Sequence, residues 1–211
     1  MYIHKKNKFM PLQFKLFTFK GIPVYLKIWF LLLFAWVSPV IVGALFISIL
    51  IHEMAHAFVA DRLGYQVDHI HIDFFGGGAV MDLNRIHEMD SIKIVAAGPL
   101  SNFALASLSI SLLGITGIQF FWTLTVVNFF IFLFNILPIF PMDGGRILRD
   151  TLYLKLKNRN SALKISATTS LITSILLLTC SIYTLNIFSI VFSIVFITYS
   201  LKELGIIKFN G

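Results

Sequence analysis

Three long stretches without a charged side chain constrain this sequence more than any other feature. Residues 28–52, 94–142 and 165–201 contain no Asp, Glu, Lys or Arg. A helix that crosses the ~30 Å hydrocarbon layer of a bilayer needs about 20 residues, so the second and third stretches are each long enough for two crossings. Only 13% of the residues are charged, about half the share found in soluble domains. We therefore predict an integral membrane protein surrounded by a lipid bilayer.

Turn signals divide these stretches into shorter segments. We predict about six transmembrane helices, at residues 24–38, 41–62, 91–113, 119–138, 163–182 and 186–203. Between the second and third helices, "VDHIHIDF" alternates polar and apolar residues and is followed by Gly76, Gly77 and Gly78, a pattern typical of a short β-hairpin. The predicted fold class is therefore an all-α polytopic membrane protein with one hairpin-like loop.

The positive charges indicate how these helices are oriented. All 17 Lys and Arg residues lie before or at the start of the first predicted helix, around the loops after the second and fourth, or near the chain's end. Because cytoplasmic loops carry an excess of Lys and Arg, we predict that both termini are cytoplasmic. We expect a basic segment at 1–23, a membrane domain at 24–205 and a short tail at 206–211. Topology and anionic headgroups account for the net charge of +7, so we predict no nucleic-acid partner.

The second predicted helix carries the motif "HEMAH" from His52 to His56. Two residues four apart differ by about 40° around a helix, so both imidazoles project from one face and can bind one metal ion. Glu53 lies beside the metal position, where a carboxylate can act as a general base. The alternative is a chance pattern without a role. Ionisable groups within a membrane are costly and usually functional, which favours the metal site.

A catalytic zinc site takes three protein ligands and keeps a fourth position for water. Asp143 closes the 49-residue uncharged stretch in "FPMDGGR", where an unpaired carboxylate near hydrocarbon would cost at least about 2.5 kcal/mol. A metal is one suitable partner, and Arg146 or Arg149 is the alternative. Five other carboxylates are closer along the chain but are expected to be solvated in a polar loop, namely Asp68, Asp73, Asp82, Glu88 and Asp90.

Three motifs in register carry a resemblance to a known family. "HEMAH", "AAGPLSN" (Ala96 to Asn102) and "NILPIFPMDGGR" (Asn135 to Arg146) resemble the signatures of the site-2 proteases, zinc metalloproteases that cut within the membrane. The resemblance covers about residues 22–205 and is strongest to the bacterial sporulation-factor branch, which processes sigma-factor precursors. It implies hydrolysis of a peptide bond within or next to a transmembrane segment of a membrane-bound protein substrate. A bacterial cell membrane is the expected location.

The resemblance also implies roles for individual residues. His52, His56 and Asp143 would bind one Zn²⁺ per chain, and Glu53 would take a proton from water at the metal and pass it to the leaving amine. Asn135 would reach the substrate carbonyl or the developing oxyanion.

Further substrate contacts are expected at Asn102 and in the glycine-rich hairpin. Asn102 would help to shape the site, and its alternative role is an interhelical hydrogen bond. Gly76, Gly77 and Gly78 would permit close backbone approach, so that the unwound substrate could join the hairpin as an edge strand.

Other classes of protein share some of these features. A catalytically idle, zinc-binding membrane adaptor would have no use for Glu53. A zinc transporter would need further ligands along several helices. Membrane HExxH proteases with a glutamate as third ligand have a large soluble catalytic domain, for which this sequence has no room. Because no appended sensory module fits either, regulation is expected from partner membrane proteins or from substrate supply.

Overall fold

The computed structural model describes residues 12–73, 76–81 and 86–207. Within them the chain forms four strands and six α-helices. The strands are β1 (Gln13–Phe19), β2 (Ile22–Lys27), β3 (Val67–Asp73) and β4 (Gly76–Met81). The helices are α1 (Pro39–Arg62), α2 (Glu88–Thr116), α3 (Gln119–Ile136), α4 (Asp143–Leu156), α5 (Arg159–Tyr183) and α6 (Ile187–Glu203). A 3-10 helix, Ile28–Ala35, lies between β2 and α1.

Four of the described helices are long and apolar enough to cross a membrane, namely α1, α2, α3 and α5. They match the second to fifth predicted segments, with ends shifted by a few residues. The segment predicted at 186–203 is helical as α6, but α6 has only 17 residues, about 26 Å of helix. The expected six transmembrane helices are therefore not confirmed.

The first predicted transmembrane helix, at 24–38, is wrong. This segment is the end of β2 followed by the 3-10 helix. Ile22 and Val24 are buried, whereas Pro23 and residues 25–27 are only partly buried. Burial of alternate residues is typical of a strand. β2 pairs in parallel with β3 through Val24 opposite Ile70, and this distant partner satisfies backbone groups that a helix would have satisfied locally.

The all-α class is corrected by the same observation, because the described strands form one sheet in the order β1-β2-β3-β4. The predicted hairpin is present in it: β3 and β4 pair antiparallel. Ile70 packs near Ala57 and Ala60 towards the end of α1, whereas Ile72 packs with Val42 near its start. β3 therefore runs antiparallel to α1 and brings β4 alongside the HEMAH motif.

The Tyr65 side chain links the segment after α1 to the start of α2. The Tyr65 hydroxyl donates to Asp90 at 3.0 Å, and Lys93 donates to the same carboxylate at 2.9 Å. The residue after Asp90, Ser91, donates to the buried Asp150 of α4 at 2.6 Å, so α4 is fixed against α2.

The segment between α3 and α4 positions Asp143. Pro138 and Pro141 prevent a continuous helix here, and α4 begins at Asp143 itself. The backbone N–H of the buried Phe140 donates to Ser170 Oγ at 2.8 Å. Ser170 Oγ lies 2.6 Å from Ser200 Oγ. The α5–α6 pair therefore anchors the segment that carries the carboxylate.

Candidate metal centre

Three buried side chains from α1 and α4 converge on one point. Nε2 of His52 lies 3.0 Å from Nε2 of His56. Asp143 Oδ2 lies 3.1 Å from the first nitrogen and 3.2 Å from the second. His52, His56 and Asp143 thus form a group with the spacing of metal ligands.

Hydrogen bonds behind the two imidazoles determine which nitrogens face this point. His56 Nδ1 lies 2.7 Å from the backbone carbonyl of Ile94. A carbonyl only accepts, so Nδ1 carries the proton and Nε2 offers a lone pair. His52 Nδ1 is paired in the same way with Asn102 Oδ1. Two nitrogen lone pairs and a carboxylate oxygen therefore meet.

The centre has the chemistry of a cation site. Asp143 Oδ2 is buried and has no hydrogen-bond partner among the described residues, a costly state unless a cation compensates it. Two imidazole nitrogens and one carboxylate oxygen are a usual zinc set, and tetrahedral zinc ligands lie roughly 3.3 Å apart. The observed separations of 3.0 to 3.2 Å are close to that value.

Gly98 of the "AAGPLSN" motif leaves the space for the ion. A Cβ at this position would lie 2.3 Å from His56 Nε2 and 2.6 Å from His52 Nε2. Any side chain at position 98 would therefore enter the volume between the ligands. The motif places its glycine directly opposite the HEMAH helix.

Glu53 lies beside the centre and under β4. Its side chain is buried. A Cβ at Gly77 would lie 2.7 Å from Glu53 Cγ, and one at Gly78 would lie 2.9 Å from the His71 ring. Gly76 has a φ of +131°, which suits glycine at the start of the strand.

Two predicted asparagines have different surroundings. Asn102 is fully buried, with hydrogen bonds to His52, Ser48 and Asn128. Asn135 is half-buried near the end of α3 and donates to Ile131 O within its own helix. The described contacts therefore bring Asn102, but not Asn135, against the metal ligands.

The alternative partners and ligands lie elsewhere. Arg149 donates to Asp150 at 2.7 Å rather than to Asp143. Among the loop carboxylates, Asp73 pairs with Lys27 and Glu88 with Arg159. Asp90 is bonded to Lys93 and Tyr65, and Asp68 is exposed. Position 82 is outside the described residues.

Sequence reasoning missed two residues behind the site, Asn128 and Ser48. Both are fully buried and bonded to each other through Asn128 Nδ2 and Ser48 Oγ at 2.8 Å. The available signal was an amide side chain in the middle of a long apolar segment, where polar groups are costly without a function.

A HExxH helix and a distant aspartate that converge at a buried point among apolar helices define a membrane protein with an intramembrane metal centre. The sequence model of the protein family Peptidase family M50 matches residues 40–119 and 111–179 of this chain. The chain belongs to this family.

Individual relatives agree with this assignment. A zinc metalloprotease of Methanocaldococcus jannaschii is 31% identical over 205 residues, which cover 88% of this chain and 58% of that protein. Stage IV sporulation protein FB of Bacillus subtilis is 28% identical over 107 residues, 49% of this chain and 37% of that protein, which confirms the expected similarity to a sporulation relative. The chain thus spans a little over half of the archaeal relative's length.

The fold has a solved counterpart. The structure of a site-2 protease from Methanocaldococcus jannaschii superimposes with a TM-score of 0.71 at 27% identity and covers 95% of this chain and 99% of the other. The sequence motifs, the family model and the solved fold therefore indicate the same family.

Proposed function

We propose that the protein is a zinc-dependent intramembrane protease that hydrolyses a peptide bond within or next to a transmembrane segment of a membrane-bound protein. This proposal rests on one observation: the side chains of His52, His56 and Asp143 converge at a buried point beside Glu53. An adaptor or a transporter would need the three ligands but not the additional carboxylate of Glu53. A base next to the metal is what hydrolysis requires.

Different residues of this chain have different roles in the proposed reaction. His52, His56 and Asp143 hold the metal, and Gly98 keeps room for it. Bound zinc supplies Lewis acidity, which lowers the pKa of a water molecule and polarises a carbonyl. Glu53 accepts a proton from the attacking water and delivers it to the amide nitrogen as the C–N bond breaks. Gly77 of β4 leaves room for the Glu53 side chain beside the metal position.

The edge of the sheet supports a way of presenting the substrate. A peptide bond in a helix is protected by its own hydrogen bonds, so the substrate must unwind before it is cut. β4 is the last strand in the sheet and lies over Glu53. An unwound segment can add to an edge strand through backbone hydrogen bonds. Gly76, Gly77 and Gly78 allow the chains to approach closely.

Further roles extend this proposal. We infer that Asn135 donates to the substrate carbonyl once the segment is bound, and that Asn102 holds His52 rather than substrate. The charge distribution supports cytoplasmic termini and a membrane domain at 24–205. The site would then face the inner half of a bacterial cell membrane, with membrane-bound substrates and regulatory membrane proteins as partners.

The first test does not require a natural substrate. The full chain is purified in mild detergent, and zinc is measured by elemental analysis for the wild type, Asp143→Ala and Glu53→Gln. We expect about one zinc per chain in the wild type and in Glu53→Gln, and a marked loss in Asp143→Ala. No zinc in the wild type, or equal zinc in all three, contradicts the metal site.

The catalytic role is tested with a panel of single-span membrane proteins in liposomes, and the products are identified by mass spectrometry. Cleavage by the wild type and none by Glu53→Gln supports the protease. Normal zinc in a wild type that cuts nothing, with no difference between the two proteins, favours the adaptor. Zinc movement across the liposome membrane would favour the transporter.

A further inference from the structure

A chain of buried hydrogen bonds connects His52 to the middle of α3. Asn102 Nδ2 donates to Asn128 Oδ1 at 2.7 Å and to the backbone carbonyl of Ser48 at 3.2 Å. Asn128 Nδ2 donates to Leu124 O at 2.8 Å and to Ser48 Oγ at 2.8 Å. His52, Asn102, Asn128 and Ser48 thus form one network, which we call the amide relay.

Backbone carbonyls fix the orientation of both amide groups. The Leu124 carbonyl only accepts, so the nitrogen of Asn128 must face it and the oxygen must face Asn102. The Ser48 carbonyl and Asn128 Oδ1 both need a donor, so Asn102 directs its nitrogen at them. Both hydrogens of each amide are thereby used. The remaining group, Asn102 Oδ1, can only accept from His52.

The relay therefore determines the tautomer of His52. With an acceptor at Nδ1, the neutral ring carries its proton there and offers Nε2 to the metal point. If Asn102 rotated, its nitrogen would face His52, and the proton would move to Nε2, where it blocks a metal ligand. Asn128 opposes this rotation together with the Ser48 carbonyl, because each offers Asn102 an acceptor and not a donor, and Asn128 forms the shorter hydrogen bond.

We propose that Asn128 is a positioning residue of the metal centre, which acts through Asn102 to keep His52 in its metal-binding tautomer. This inference rests on the metal site proposed above. Asn128 is fully buried, and its hydrogen bonds among the described residues go to Asn102, Ser48 and Leu124 rather than to the metal ligands. Groups behind a metal-binding histidine commonly change metal affinity by about 10- to 100-fold when removed.

Three variants of the full chain separate this role from a purely structural one. Asn128→Leu removes the acceptor for Asn102. Asn128→Asp keeps that acceptor, and its neutral acid group can donate to Leu124 O in this apolar setting. Ser109→Ala serves as the control. It removes a buried polar group from α2, a hydroxyl that has no hydrogen-bond partner among the described residues.

Two measurements are made on each variant. Nitrogen-15 NMR of histidine-labelled, metal-free protein reports which ring nitrogen of His52 is protonated, with the signal assigned by its loss in His52→Gln. Competition with a zinc chelator gives the zinc affinity. For Asn128→Leu we expect protonation at Nε2 to appear and affinity to fall by about 10- to 100-fold. Asn128→Asp should retain the wild-type tautomer and most of the affinity, and Ser109→Ala should match the wild type.

Each outcome decides the proposal. An unchanged tautomer and affinity in Asn128→Leu overturn it, and so does an equal loss of affinity in Asn128→Asp. If Asn128→Leu does not fold, Asn128→Ala is measured in the same way, because it creates no steric conflict. A wild type that binds no zinc refutes the metal site but leaves the tautomer measurement valid, so the two failures are distinguishable.

Discussion

Gly77 lies against Glu53, so closely that a Cβ at position 77 would be 2.7 Å from Glu53 Cγ and 3.0 Å from its Oε1. The strand proposed to offer its edge to a substrate and the carboxylate proposed to accept the proton are therefore in van der Waals contact. This contact joins two parts of the chain, β4 and α1, that the proposed reaction requires to act on the same peptide bond.

Gly77→Ala should impair cleavage without removing zinc. The added methyl group displaces the Glu53 side chain, and a misplaced catalytic group commonly costs on the order of 100-fold in rate. The measurement is the rate of cleavage in liposomes together with zinc per chain. Gly43→Ala is the matched control, because a Cβ there meets nothing within 4 Å among the described residues. Equal rates for both variants would refute this reading of the contact.

Gly98→Ala should abolish zinc binding. Its Cβ would occupy the space between His52 Nε2 and His56 Nε2, and the buried histidines have little room to withdraw. Zinc per chain should fall to about a tenth or less by elemental analysis. Gly114→Ala on the same helix, where a Cβ meets nothing within 4 Å of the described atoms, should retain zinc. Full occupancy in Gly98→Ala would place the ion elsewhere.

Asp143→Asn should stabilise the metal-free protein. Without an ion, the Asp143 carboxylate faces two nitrogen lone pairs, whereas an amide can donate to one of them. We expect the melting temperature in chelator to rise by about 2–4 °C, equivalent to about 1 kcal/mol. With zinc present, the wild type should have a higher melting temperature than Asp143→Asn, because only the wild type gains the full free energy of zinc binding.

Asp150→Asn is the control for this prediction. Asp150 is also a buried carboxylate, but it accepts hydrogen bonds from Ser91 at 2.6 Å and Arg149 at 2.7 Å. Its replacement should lower the melting temperature with or without zinc. A metal-free wild type more stable than Asp143→Asn would show that the carboxylate has a partner of its own.

Ser170→Ala should destabilise the fold by about 1–3 kcal/mol, because it leaves the buried N–H of Phe140 without an acceptor. Ser174→Ala, which removes only a hydroxyl bonded to its own helix at Ser170 O, should cost less. Thermal unfolding in detergent compares the two. Similar losses for both would mean that the link from α5 to the Asp143 segment contributes little.

Much of the fold was predictable because the bilayer acts on local composition. Any segment at membrane depth must be apolar and must satisfy its own backbone, so the uncharged stretches predict α1, α2, α3 and α5 without tertiary information. The segment at 24–38 is also apolar apart from Lys27, yet its first residues belong to β2, which pairs with β1 and with β3. The β3 partner lies more than forty residues away, so a local pattern does not reveal this pairing.

The sequence by itself determined the metal ligands as candidates, since the helical spacing of His52 and His56 and the cost of an isolated Asp143 follow from local geometry and the low dielectric of a membrane. Only the tertiary structure decided how these residues meet. It showed that Gly98 leaves space for an ion, that Gly77 touches Glu53, and that Asn128 reaches His52 through Asn102. Such relationships depend on packing between distant segments, and packing is specified by the whole chain rather than by any one motif.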